Sequence, residues 1–274
     1  MICLFTILPL IYIGYLSVVG IKTGQLVGRF VGLENYDFVL SSSSTITAFS
    51  NTLYFSTLSV VLAVAAGTVI ALLIDSRVPF SKYLIAAVIL PWAIPEVVNA
   101  LLWKWVFDYT WGAFNALLVA LGVIGKYQAW FSDGATAMHA LVFAYSWKLV
   151  PFVVVIVYAA LRSISPELIE AAEIDGAGWF GVLWYMRLPL IMPALAVATL
   201  FCVIFSMRAF DLIYLLTKGG PGESTVVLSY YTYATTFEFG DIGSGAATSV
   251  ILAAATLTAT LVYWWALQRA ERAQ

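Results

Sequence analysis

Three stretches of the chain, 1–21, 38–74 and 242–268, contain no charged residue. Each is long enough to supply the roughly 20 apolar residues that a helix needs to cross a ~30 Å hydrocarbon core. Three more stretches are nearly as apolar but hold isolated ionisable or helix-breaking residues. The pattern therefore predicts six spans, over 1–21, 50–74, 83–107, 135–161, 190–217 and 243–267. Membrane strands would alternate strictly over segments of about ten residues, whereas residues 60–66 are apolar on every face, as a helix in lipid or in a bundle would be. Small residues recur every fourth position in Ala63, Gly67 and Ala71, and again in Gly245, Ser249 and Ala253. Such stripes let membrane helices approach closely, although chance in alanine-rich spans explains them as well.

Composition strengthens the membrane reading. Of 274 residues, 62% are hydrophobic and 10% charged, against roughly 45–50% and 25% in soluble domains. A net charge of -2 offers no basic stripe for nucleic acid. Cys3 and Cys202 lie in apolar stretches and read as small hydrophobes. Placing both termini in the cytoplasm puts Arg77, Lys82, Arg162, Arg187, Arg269 and Arg272 inside and leaves Lys22, Arg29, Lys126 and Lys218 in longer outer loops, as the positive-inside bias asks. The first span lacks the basic flank of a signal peptide. It reads as a true helix and leaves room for a short cytoplasmic start ahead of it. Within the outer loops, 111–121 is predicted to form a short interfacial helix. No loop can hold an independent domain, so 1–274 reads as one all-α polytopic unit.

The loop over 162–189 is the most informative. Ser165 is a good N-cap, Pro166 suits the first helical position and Glu167 favours the positive end of the helix dipole. A short helix should start here and stop at Asp175-Gly176, where glycine takes the left-handed conformation. A second short helix with Trp179, Phe180, Leu183 and Trp184 should lead to Leu188-Pro189. Ala171 and Ala172 leave a flat face flanked by Glu170, Glu173 and Asp175. This helix-turn-helix, lying outside the membrane, suits insertion into a partner's cleft, though a solvated connector would look the same.

Glu170-Ala171-Ala172, Gly176 and Leu188-Pro189, at these spacings, resemble the EAA loop of permease subunits of binding-protein-dependent type I ABC importers. Trp147-Lys148, Pro151-Phe152 and the segment Phe210-Asp211 through Gly219-Gly220-Pro221-Gly222 are similar to carbohydrate-uptake permeases related to the maltose transporter. Phe30, Gly32, Leu33, Asn35 and Tyr36, and Leu102 to Trp105, agree as well. Met186 departs from the isoleucine usual in the motif.

The resemblance implies a division of labour. Two related permeases pair, here expected as a heterodimer, and each docks its EAA loop, Glu170, Ala171, Ala172, Asp175, Gly176, Leu188 and Pro189, on one of two cytoplasmic ATPases. An extracytoplasmic solute-binding protein delivers a sugar or oligosaccharide. ATP and Mg belong to the ATPase; this chain holds no cofactor and no catalytic residue. No phosphate-binding G-x-x-x-x-G-K-[ST] occurs in the sequence. His139 has no second ligand at metal spacing, and Gly219 to Gly222 reads as a tight external turn. The same machine importing a polyol or glycerol phosphate is the near alternative. An ion-coupled secondary transporter, with Glu96 or Asp211 as its ion site, is the alternative of another class.

Charges inside the spans cost about 2.5–3.5 kcal/mol at a helix centre and so face a bundle interior or water. Arg208 and Asp211, three apart, are placed to pair on one helical face. Lys104 reaches the outer interface beside Trp103 and Trp105. Pro91 and Pro95 interrupt the third span and free carbonyls that lipid cannot satisfy. With Glu96, Asn99, Tyr145, Ser146, Trp147 and Lys148 that break makes a polar, aromatic wall suited to sugar; ordinary packing would use the same residues. These six, Arg208 and Asp211 are the candidate pathway residues.

Overall fold

A computed structural model describes residues 2–25, 27–76 and 81–271. Met1, Arg77 and Arg272 lie outside the described residues, as do the side chains of Cys3 and Lys82. Among the described residues the regular structure is helical apart from one short antiparallel pair, β1 (Val19–Gly20) with β2 (Arg29–Phe30), and an isolated bridge between Lys22 and Asp241. Among the described residues four helices are long and apolar enough to cross a membrane, with a bent pair as a fifth candidate. α1 (Ile2–Leu16) is shorter than the stretch 1–21 suggested: the chain leaves the helix after Leu16 to form β1. At 1.5 Å per residue it spans only about 22 Å.

α2 (Glu34–Ser41) leads into α3 (Ser43–Asp75), which starts seven residues ahead of the expected 50. Its 33 residues extend about 50 Å, more than the hydrocarbon core. α3 packs along α7 (Gly134–Arg162), the pair at the centre of the fold. The stripe of small residues makes this contact: Ala63 and Ala71 are fully buried, and a Cβ built on Gly67 would lie 2.6 Å from Val153 Cβ. The second stripe is different. Gly245 meets Thr236, but Ala253 is exposed.

The segment read as one span over 83–107 is two helices, α4 (Ser81–Ala93) and α5 (Glu96–Val106), bent by 100°. Proline lacks an N–H and excludes the helical conformation before it, so the break falls at Ile94-Pro95. Beyond α5, α6 (Ala113–Ala120) is the short helix expected over 111–121. Buried Asn115 ties it down: its carboxamide donates to the Asp108 and Gln128 carbonyls and accepts from Gln128 N–H and Trp130 Nε1, all at 3.0–3.1 Å. Around it Phe107, Phe114, Trp130 and Phe131 meet at centroid distances of 5.1–6.2 Å.

After α7 come α8 (Pro166–Ile174) and α9 (Trp179–Val182), a π turn over Leu183–Arg187, and α10 (Leu188–Met207). α9, the π turn and α10 form one apolar helix from Trp179 to Met207. The separate second helix expected before Leu188-Pro189 is thus the base of a long one, with the π turn over Leu183–Arg187 carrying the chain into Pro189. The span drawn over 190–217 stops at Met207; α11 (Asp211–Leu216) is a separate helix. α12 (Leu228–Tyr233), a second π turn over Ala234–Glu238 and α13 (Ile242–Glu271) complete the chain.

Candidate functional site

The first candidate is the elbow formed by α8 and its turn. Ser165 takes the N-cap conformation, but its hydroxyl donates to the Glu167 carboxylate and accepts no hydrogen bond from a backbone N–H. At the other end Gly176 adopts φ +88°. The Gly176 N–H reaches the Glu173 carbonyl at 3.1 Å and the Ala177 N–H reaches that of Ala172 at 2.9 Å. This doubly bonded stop needs a left-handed residue, which glycine supplies without strain. α8 buries none of its side chains. Ala171 is exposed and Ala172 half-buried, and Glu170 and Asp175 stand in solvent. Ile174 is 85% exposed, Phe180 71% and Trp184 62%. An apolar and acidic projection of this kind is a surface suited to a partner.

Between the elbow and the end of α3 lies a cavity of about 370 Å³, lined by Leu72, Leu73, Ile169, Trp179 and Leu183 among others. Across it Arg187 Nη1 meets Asp75 Oδ2 at 3.2 Å, both side chains largely buried. Sequence reading missed Asp75 as a partner. Its only local signal is that it ends a long uncharged run.

The second candidate is an open cavity of about 310 Å³ bordered by α4, α5, α7, α10 and α11. Five of the eight sequence-selected residues line it: Glu96, Tyr145, Lys148, Arg208 and Asp211. Trp92, Phe205 and Phe210, which were not among those eight, add the aromatic wall. Lys148 is buried, with Nζ 3.0 Å from Glu96 Oε1 and 2.7 Å from the Ile94 carbonyl. The Tyr145 hydroxyl donates to the Phe205 carbonyl at 2.8 Å.

Helical period explains Ser146 and Trp147. Tyr145 and Lys148, three apart, share a face, while Ser146 and Trp147 are turned away. Ser146 donates to the Val142 and Ser59 carbonyls at 2.7 and 3.2 Å, against α3. Trp147 packs edge-on against Trp103 at 5.5 Å. Asn99 is fully buried, and no hydrogen bond reaches either carboxamide atom within the described protein.

The anticipated pairing of Arg208 with Asp211 is not made. Arg208 caps the end of α10 and Asp211 opens α11, so no continuous helical face holds both. The described ion pairs are Lys148–Glu96 and Arg187–Asp75. His139 Nε2 lies 2.7 Å from the Tyr54 hydroxyl, a link between α7 and α3. No cluster of metal-ligating residues occurs among the described residues. The Gly219 to Gly222 segment is a tight turn with Gly219 and Gly222 at positive φ.

Binding-protein-dependent transport system inner membrane components match residues 66–272. The chain is 38% identical over 234 residues to the trehalose/maltose transport system permease protein MalF of Thermococcus litoralis, covering 85% of this chain and 78% of that one. It is 32% identical over 265 residues to the sulfoquinovosyl glycerol transport system permease protein SmoG of Agrobacterium fabrum, covering 96% and 84%. In fold it superposes on a bacterial ABC transporter involved in import of the acidic polysaccharide alginate with a TM-score of 0.83, at 23% identity over 97% of this chain and 91% of that one. These matches bear out the resemblance drawn from the elbow and its flanking segments. By the extent of the match and by identity, the chain belongs to the family of binding-protein-dependent transport system inner membrane components.

Proposed function

We propose that this chain forms half of the translocation pathway of an ATP-driven importer for a sugar or oligosaccharide. Its six membrane segments are α1, α3, the bent pair α4–α5, α7, the helix through α9 and α10, and α13, with both termini in the cytoplasm. A second, related permease completes the pathway. Two cytoplasmic ATPases hold ATP and Mg, and a solute-binding protein delivers the cargo from outside. The chain hydrolyses nothing itself.

The observation that carries this reading is the elbow. Its α8 packs on no core, ends on a two-bond glycine stop and continues through α9 into a membrane helix. A push on α8 is therefore delivered to α10, whose far end lines the charged cavity. The sugar assignment rests on the relatives' names and on the cavity's mixture of aromatic faces with paired charges. Aromatic faces stack on sugar rings, and polar groups meet the hydroxyls.

The test is a photo-crosslinker at Ala172 in the complex purified with its neighbouring subunits. Capture of an ATPase, together with uptake of labelled maltose or trehalose that requires ATP, is the expected result. Uptake that follows an ion gradient without ATP, or an elbow that never captures an ATPase in an import-competent assembly, overturns the reading.

A further inference from the structure

Two rods of unequal stiffness connect the elbow to the far side of the molecule. α10 begins Leu188-Pro189 and contains Pro193, so its first turns lack backbone hydrogen bonds that would resist bending. α3 runs for 33 residues without a proline. The two are joined at the elbow end by Arg187 and Asp75. They are joined again at the opposite end. Asn51 Nδ2 donates to the Glu223 and Val226 carbonyls at 3.0 Å, and Thr52 Oγ1 accepts from the Leu228 N–H at 2.8 Å. One residue on, the Ser229 hydroxyl donates to the carbonyl of Ala209, which lines the charged cavity just past the end of α10.

The frame is closed. From the elbow one route climbs α10 directly; the other crosses the Arg187–Asp75 pair, follows α3, and returns through 223–229 to the same cavity wall. Beside the pair the elbow faces α3 across a cavity of about 370 Å³, whereas further along α10 itself packs against α3 and α7, so the pair is the polar tie at the elbow's own level. Without the pair, the elbow's own level would be held to α3 by apolar contacts alone, and bending at Pro189 and Pro193 could take up its displacement before it reached the packed part of α10.

We propose that the Asp75–Arg187 pair is the joint that makes α3 move with the elbow, so that Asp75 and Arg187 are positioning residues for transport. Asn51 is their counterpart at the distal end. The proposal rests on the reading of the elbow as the ATPase contact.

The experiment uses the whole importer in proteoliposomes with its binding protein, scoring sugar taken up per ATP hydrolysed. Arg187→Gln, Asp75→Asn and Asn51→Ala should each lower that ratio about 5-fold or more, the lower end of coupling between sites. The exchanged pair Asp75→Arg with Arg187→Asp should return it to within about twofold of the parent, since the two sites are coupled only through each other. A purely structural pair would lower yield and thermal stability and leave the ratio unchanged. An unchanged ratio in all three single variants, or an exchanged pair as uncoupled as Arg187→Gln, overturns the proposal. A parental complex that lacks ATP-driven uptake marks the failure of the elbow reading instead, and takes the proposal with it.

Discussion

The ammonium of Lys148 lies 2.7 Å from the carbonyl of Ile94, the last residue before the proline that breaks α4 from α5. A bent span leaves main-chain acceptors without helical donors, and inside a membrane they must find partners in the protein. Lys148 supplies one from the neighbouring helix. Its second partner, Glu96, keeps a side chain that is 44% exposed, so that carboxylate retains contact with its surroundings if the lysine is lost.

The two partners should therefore respond unequally. Lys148→Met strands a half-buried carbonyl and removes a charged hydrogen bond, a loss of about 1.5–3 kcal/mol. Glu96→Gln keeps an oxygen that can accept from the buried ammonium and removes only a half-exposed charge, so it should cost less than Lys148→Met. Thermal melting of the purified complex distinguishes them; equal losses would mean that the ion pair, not the carbonyl cap, holds the bend.

Gly67 faces Val153 so closely that an added Cβ would fall 2.6 Å from Val153 Cβ and 3.2 Å from the Val150 carbonyl. The neighbour is a branched side chain on a packed helix and has little freedom to move. Gly67→Ala should destabilise the complex by about 1–3 kcal/mol, as overpacking does. Gly67→Ala with Val153→Ala should recover a substantial part, and strict additivity in that double variant would contradict the close approach.

Local chemistry was legible where it is local. Pro166 and Gly176 announced both ends of the elbow helix because caps are written within a few residues. Pro91 and Pro95 announced a break, but not its 100° angle, which depends on what α4 and α5 pack against. The sequence groups Tyr145, Ser146, Trp147 and Lys148 in one wall and does not separate the face of Tyr145 and Lys148 from the other two without knowledge of where the cavity stands. Asp75 and Arg187 are 112 positions apart, and no periodicity names a partner at that distance. The same limit misled the pairing of Arg208 with Asp211, which assumed a helix running past Met207.

Asn115 fills all four hydrogen-bonding roles available in its pocket. Asn115→Leu keeps the size but leaves the Trp130 indole N–H, the Gln128 N–H and two carbonyls without partners. Each stranded buried group costs about 1–3 kcal/mol, so the loop from Asp108 to Trp130 should detach from α5 before the rest of the protein unfolds. Hydrogen exchange at Gln128 and Trp130 reads this directly; unchanged protection would show that the aromatic cluster alone holds the loop.

The turn that starts this loop should respond to acid. The Thr110 hydroxyl donates to the Asp108 carboxylate at 2.6 Å and the Thr110 N–H at 2.8 Å, with Trp111 N–H at 3.2 Å. These bonds favour the charged form and hold the Asp108 carboxyl below its ordinary value, the Thr110 side chain contributing most. A lowered folded value means that the turn is fully stabilised above the ordinary carboxylate pKa of about 3.9 and loses that support as pH falls through the folded value. Protection of the Thr110 and Trp111 amides, relative to the intrinsic exchange rate at each pH, should fall only in that acid range. Asp108→Asn should abolish the pH step, and a step that persists in the variant would belong to another carboxylate.

Gly176 isolates backbone conformation from packing, because a Cβ there meets nothing within 4 Å while φ is +88°. Gly176→Val therefore carries no steric clash, only the penalty of a branched residue in the left-handed region, about 1–2 kcal/mol or more. That penalty is relieved if α8 abandons its two-bond stop and swings the acidic face away from its present direction. Asparagine tolerates the left-handed region, so Gly176→Asn should keep the stop. On the proposed reading, ATP-driven uptake should fall steeply in Gly176→Val and survive in Gly176→Asn, with the Ala172 crosslink to the ATPase lost and kept in parallel. Equal uptake in the two variants would show that the direction of the elbow does not matter for the work passed through it.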